Sequence, residues 1–320
     1  MHRLLRVPRL ATALSLLCAL FILSGCASTF QRLTDYAIKS DRQRAGLERK
    51  EIVLENGLRY VYLEGGQGEA LMLLHGFGGN KDNFVRTARY LTPHYRVIVP
   101  DHIGFGESSH PLQADYRPTA QAERIRMLAH ALGIRSPHLG GNSMGGHIAL
   151  AYAALYPKEV ASLWLLDSGG IWNAPLSDVG QTLAKGGRNP LLVRDEEDYA
   201  KLIDLVMNDP PFIPRPVMNI LAQERIRNAG LEERIFQDLI RDPIEGRIGG
   251  LQTPALIVWG DKDRVIHVGT AEILRKLMPR SEVIVMPGIG HVPMVERPQQ
   301  SAEDYLRFRG ELAGMQSAAR

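Results

Sequence analysis

The chain has 320 residues, with 38 Lys and Arg, 35 Asp and Glu, and 45% hydrophobic residues. A chain of this size buries a large core, and its ordinary composition excludes a disordered, collagen-like or multi-span membrane protein. A formal net charge of +3 gives no electrostatic case for nucleic-acid binding, and two cysteines supply neither a disulfide framework nor a Cys-based metal site.

The N-terminus departs from that globular composition. Arg3, Arg6 and Arg9 precede an uncharged, apolar run from Leu10 to Leu23. The run is short for a bilayer span, and a basic segment followed by an apolar one of this length reads as a secretory signal. Leu23-Ser24-Gly25-Cys26 resembles the bacterial lipobox, in which the cysteine is lipidated and becomes the first residue after cleavage. An uncleaved anchor helix and plain secretion are the alternatives. All three readings export the rest of the chain to the cell envelope or beyond, and two of them tether it to a membrane. Cleavage before Cys26 removes three basic residues and no acidic one, so the mature chain has no charge bias. Residues 26–50 read as a juxtamembrane segment. Phe30, Leu33, Ala37 and Ile38 lie near helical spacing among Arg32, Lys39, Arg42 and Arg44, which suits either an amphipathic surface helix or a solvated spacer. The N-terminal and juxtamembrane helices are also candidate homodimer contacts.

Strand-like and helical patterns then alternate. Glu51–Leu54 and Leu58–Leu63 flank Asn56-Gly57, a hairpin signal because both residues tolerate positive φ. Short apolar runs follow at Leu71–Leu74, Val97–Val99, His138–Gly140, Leu163–Leu166, Leu256–Val258 and Val283–Val285. Runs of this length suit strands buried on both faces. Helical patterns over Asn83–Leu91, Ala120–Leu132, Gly145–Tyr156 and Val268–Leu277 separate most of them. The pattern predicts a mostly parallel sheet with helices on both faces. Residues 170–250 break the alternation. They carry helical stretches at Glu196–Met207 and Val217–Ala229, joined by the proline-rich loop Pro210–Pro216. So long an insertion between core strands predicts a helical cap over a core of residues 51–169 and 251–320, with residues 1–25 as signal or anchor.

Three motifs converge on one chemistry. Gly141-Asn142-Ser143-Met144-Gly145 matches G-x-S-x-G between a strand and a helix. A serine there sits on a sharp strand-to-helix turn, with Gly141 and Gly145 making room for it. His75-Gly76-Phe77-Gly78-Gly79 follows the Leu71–Leu74 strand. Acyl transfer needs backbone N–H groups aimed at a developing oxyanion, and Phe77 and Met144 are placed to supply two. A serine hydroxyl also needs a histidine to take its proton and a carboxylate to orient that histidine. His291 follows the last strand, and Asp261 and Asp263 follow the one before, in the chain order Ser…Asp…His. Chain order alone leaves both aspartates open.

On these motifs, together with Asp101-His102-Ile103-Gly104-Phe105-Gly106-Glu107-Ser108, residues 51–310 resemble an α/β-hydrolase with a helical cap. The Gly-x-x-Asp spacing of that resemblance favours Asp263. With the lipobox and Gly-Asn-Ser-Met-Gly-Gly, the chain is most similar to bacterial membrane-associated lipases and membrane-anchored phospholipases A. The resemblance implies a serine carboxylester hydrolase acting on acyl lipids through an acyl-enzyme, with no metal or organic cofactor. It implies Ser143, Asp263 and His291 as triad, with Phe77 and Met144 as oxyanion donors. His75, Gly76 and Gly78 would shape the oxyanion loop, and Cys26 would carry the lipid. A phospholipase A remodelling membrane glycerophospholipids is the alternative. A C–C bond hydrolase fits an exported chain less well, and a non-catalytic lipid-binding module fits the complete triad less well. The apolar cap residues Phe212, Ile213 and Val217 are candidates for contact with an acyl chain.

Overall fold

The computed structural model describes residues 29–318, so the signal-like run and Cys26 lie outside the described residues. Among the described residues no helix is long and apolar enough to cross a membrane. The first helix, α1 (residues 29–44), is followed by β1 (Glu48–Val53) and β2 (Arg59–Gly65), an antiparallel hairpin turning at Asn56-Gly57. Arg42 of α1 reaches the core through a two-pronged pair with Asp82, both contacts at 2.6 Å.

The alternating part begins with β3 (Ala70–Leu74), a 3-10 turn (Lys81–Phe84) running into the single-turn helix α2 (Val85–Ala88), and β4 (Arg96–Pro100). The helical pattern of residues 83–91 predicts a longer helix here. Asn80 and Asn83 instead cap the 3-10 turn reciprocally, and the Lys81 N–H donates to Asp101 Oδ1 at 2.7 Å, which holds the chain tight. Helix α3 (Pro118–Ala131), β5 (His138–Asn142), α4 (Met144–Leu155) and β6 (Ser162–Leu166) follow.

The stretch between β6 and the next strand, β7 (Ala255–Gly260), holds α5 (Asp178–Ala184), α6 (Glu196–Val206), α7 (Arg215–Ile240) and α8 (Glu245–Ile248). Helix α7 runs well past the stretch that the sequence pattern marks. Ile235, Phe236 and Leu239 continue its buried face, and that packing outweighs Gly230. The chain closes with α9 (Gly269–Leu277), β8 (Ser281–Met286), α10 (Pro293–Glu296) and α11 (Pro298–Ala318).

The strands form one eight-stranded sheet ordered β1-β2-β4-β3-β5-β6-β7-β8, parallel from β4 to β8 with β1 and β2 antiparallel. Strand residues alternate between two buried layers. Met72, Leu74, Leu139, Leu165 and Ile257 pack with α3, α4 and α9, while Leu71, Leu73, Trp164, Leu166 and Val258 pack with α2 and α11. Two-sided burial explains why the strands read as unbroken apolar runs. After β3 the chain moves outward to β4 and returns on the other side as β5. The carboxyl ends of β3 and β5 therefore bound a crevice, the place where open parallel sheets bind ligands.

Candidate active site

Ser143 stands in that crevice. Its backbone has φ 53 and ψ −117, and among the described residues only Ser143 and Asp167 combine a side chain with positive φ. Strain of this kind persists only where the surroundings impose it. Here the Ser143 N–H donates to Leu166 O at 3.0 Å, and Ser143 O accepts from His147 N (3.0 Å) and Gly169 N (2.9 Å). Glycines allow the close approach this requires. A Cβ on Gly145 would collide with Leu74 O, and one on Gly141 would collide with the Gly145 carbonyl.

His291 comes from the loop after β8. Its Nδ1 donates to Asp263 Oδ2 at 2.8 Å, and the two side chains are almost entirely buried. Asp263 Oδ1 accepts from Val265 N (2.7 Å) and Ile266 N (3.0 Å), which fixes the carboxylate plane. Of the two aspartates it is Asp263 that contacts His291, while Asp261 Oδ1 accepts from Gly288 N at 2.7 Å. No hydrogen bond joins Ser143 Oγ to His291 among the described residues, although both line one cavity. Such contacts are often long in unliganded enzymes and tighten with substrate.

Phe77 and Met144 line the neighbouring cavity at Ser143, and neither N–H donates to another group of the protein among the described residues. His75 shapes the Phe77 loop from beneath. Its Nδ1 donates to Gly76 O (2.8 Å), so Nε2 is the acceptor for His102 N (3.0 Å). Burial pushes the His75 pKa down to about 4, in keeping with this neutral tautomer. Gly78 has φ 66 and packs on the guanidinium of Arg225, a cap residue that also lies 5.7 Å from the Phe77 ring centroid.

Two cavities meet at Ser143 and Phe77. One, of about 200 Å³, is apolar and includes Ile171, Trp172, Val179, Leu183, Phe236 and Leu239. The other, of about 120 Å³, includes Tyr199, Ile203, Arg225, His291 and Met294. The expectation for Phe212, Ile213 and Val217 is corrected here, since none of them lines either cavity. Phe212 is 91% exposed. The prolines at 210, 211 and 214 keep that loop out of a helix, and Pro216 sits in the first turn of α7, where proline is tolerated.

Several supporting residues carry no sequence motif of their own. The Asn142 amide donates to Leu166 O (3.1 Å) and His291 O (2.9 Å), tying the serine turn to the histidine loop. Buried Glu296 accepts from Gly290 N (2.9 Å), Asn208 N (2.9 Å) and Asp209 N (2.8 Å), binding that loop to the end of α6. Arg225 pairs with buried Glu232 at 2.8 Å and donates to Leu191 O at 2.8 Å. Their sequence signal is slight, because tertiary folding brings in the partners of Asn142 and Glu296 and buries the Arg225–Glu232 pair, which is itself local to α7.

Comparison with known proteins agrees with this architecture. Residues 69–298 match the family described as the alpha/beta hydrolase fold. The chain is 47% identical to Lipase 1 of Psychrobacter immobilis, over 92% of this chain and 96% of that one. It is 47% identical to Lipase 3 of Moraxella sp. (strain TA144), over 92% of this chain and 97% of that one. The solved structure of a membrane phospholipase A, described as a bacterial virulence factor, is similar with a TM-score of 0.87. It is 40% identical and covers 95% of this chain and 98% of its own. The chain belongs to the α/β-hydrolase fold family.

Proposed function

We propose that the protein is a serine carboxylester hydrolase that cleaves acyl-lipid esters at a membrane. The observation that carries this reading is the convergence of a strained serine, a buried His291–Asp263 pair and two unengaged N–H groups where two cavities meet, one of them apolar. In this reading Ser143 attacks the ester carbonyl while His291 takes its proton. The N–H groups of Phe77 and Met144 receive the oxyanion, each donor contributing about 3 kcal/mol to transition-state stabilisation. His291 then protonates the leaving alcohol, and its ring, oriented by Asp263, activates the water that releases the fatty acid. The acyl chain occupies the apolar cavity, and the alcohol portion leaves through the cavity containing Arg225.

Likeness to the two bacterial lipases supports a lipid ester as substrate. Likeness to the membrane phospholipase A supports a second reading, in which the lipid is a membrane glycerophospholipid. The lipobox at Cys26 supports a tether that holds the body on the periplasmic or outer side of a membrane. The test compares purified wild type and Ser143→Ala on p-nitrophenyl esters from butyrate to palmitate, then on a mixed panel of triacylglycerols and phospholipids. Wild-type turnover that Ser143→Ala abolishes is expected. An inactive wild type, or an active Ser143→Ala, refutes the reading, and the products from the panel separate lipase from phospholipase.

A further inference from the structure

Asp167 is the other non-glycine residue with positive φ, at φ 45, and it lies at the carboxyl end of β6. Its N–H donates to Val258 O at 2.9 Å, which sets it directly beside β7, the strand whose following loop carries Asp263. The side chain is fully buried. Its Oδ1 accepts from Gly260 N at 2.9 Å, while Oδ2 receives no donor from the protein among the described residues. One carboxylate oxygen each from Asp167 and Asp263 and one ring nitrogen of His291 lie within 4.8 Å of one another.

Two buried carboxylates this close do not both ionise. The hydrogen-bond inventory decides which one keeps the charge. Asp263 already accepts three donors, Val265 N, Ile266 N and His291 Nδ1. A carboxylate offers about four acceptor sites, so one remains open. Asp167 has a single donor, and ionising it would leave Oδ2 a buried charge without a partner. We infer that Asp167 is a positioning residue, held as a neutral carboxylic acid that donates its proton to the fourth acceptor site of Asp263. Burial, and next the charge of Asp263, raise the Asp167 pKa well above the usual carboxylate range, in agreement with this arrangement.

The inference rests on the triad reading, because its consequence is the electrostatics of His291. The titratable groups facing Asp167 are Asp263, His291 and Glu296 of α10. A donated proton withdraws part of the Asp263 charge from His291. It also holds the carboxylate in the plane that the Val265 and Ile266 N–H groups define.

Asp167→Asn is the discriminating variant. Asparagine tolerates positive φ, keeps an oxygen for Gly260 N, and replaces the acid proton with an amide donor. If Asp167 is neutral, the acid limb of the kcat/KM profile in Asp167→Asn overlays the wild type. If Asp167 is ionised, the same variant removes a negative charge beside His291. The limb then moves to lower pH, and the inference is overturned. Asp167→Ala removes the donor and leaves more of the Asp263 charge to hold the imidazolium. Its acid limb is expected to move up by as much as about one pH unit.

Infrared difference spectra of wild type minus Asp167→Asn near neutral pH give a readout that needs no turnover. The expected result is the carbonyl band of a protonated carboxylic acid in the wild type, lost in the variant. Its absence overturns the inference even if the enzyme proves inactive on esters. An active enzyme that lacks the band refutes the role of Asp167 and leaves the triad reading intact.

Discussion

Replacing Gly78 by alanine tests how the cap supports the oxyanion loop. Gly78 has φ 66, where an added Cβ costs about 1 kcal/mol. That Cβ would also overlap the Arg225 guanidinium. Arg225 cannot yield freely, because it is buried, paired with Glu232 at 2.8 Å and donating to Leu191 O. Disrupting a buried pair costs up to about 3 kcal/mol or more, so Gly78→Ala should lose roughly 4 kcal/mol in all. For a chain of this size that lowers Tm by roughly 6 °C. The neighbouring Phe77 N–H shifts with the loop, and losing one oxyanion donor lowers kcat about 100- to 1,000-fold. The assay is thermal melting plus turnover of p-nitrophenyl butyrate, repeated in an Arg225→Ala/Glu232→Gln background. There the collision is gone and neither buried charge remains, so only the backbone cost of about 1 kcal/mol should persist. An equal penalty in both backgrounds would refute the coupling. So would a Gly78→Ala protein that melts and turns over like the wild type.

Three further outcomes are expected. In Asp263→Asn the Val265 and Ile266 N–H groups pin the amide oxygen at the Oδ1 position, so the NH₂ faces His291 and forces the wrong tautomer. kcat should fall about 10⁴-fold with little change in Tm, and a loss below tenfold would contradict the triad. The second outcome concerns pH. Burial lowers His75, His138 and His147 to about 4 and His102 further, so the unfolded chain binds more protons than the native one below pH 6.5. Their stabilisation is complete above that pH and is lost on acidification towards pH 4, at most about 1.4 kcal/mol per pH unit for each histidine. Asp167, Glu224, Glu232 and Asp304, each raised chiefly by burial, act with the opposite sign and offset part of this loss. Urea midpoints should fall from pH 6.5 to pH 5, and a flat profile would show that the buried histidines do not outweigh the raised carboxylates. Third, labelled palmitate should be incorporated by the full chain in a bacterial host and not by Cys26→Ser. A wild type that takes up no label removes the lipid tether.

The sequence was most legible where the determinants are local. The apolar runs at Leu71–Leu74 and Leu163–Leu166 and the Asn56-Gly57 turn specify strands and a hairpin within a few residues, and the sheet contains them. The motif around Ser143 is equally compact, because a strained turn needs its glycines beside it. The acid was harder to read, since Asp261 and Asp263 sit two positions apart in one loop and differ in which backbone N–H groups reach them and in whether the His291 ring does. Asp167 directly follows the Leu163–Leu166 run, but what sets its character, Gly260 and Asp263, lies more than 90 positions away and is brought close by β6–β7 pairing. Arg225 and Glu232 look like surface charges on a helix until the cap folds over Gly78. The Phe212 expectation failed for a related reason. Apolar character marks a residue for burial on average, while the prolines around Phe212 decide where that loop runs.

The most direct test of the central claim is stoichiometric labelling with a fluorophosphonate, followed by intact mass measurement and peptide mapping. The reagent reports an activated serine independently of which lipid the enzyme prefers. The account predicts one probe per chain, on Ser143, with ester hydrolysis lost in proportion and no labelling of Ser143→Ala. An unlabelled wild type, or a protein labelled on Ser143 that still hydrolyses esters, would contradict it.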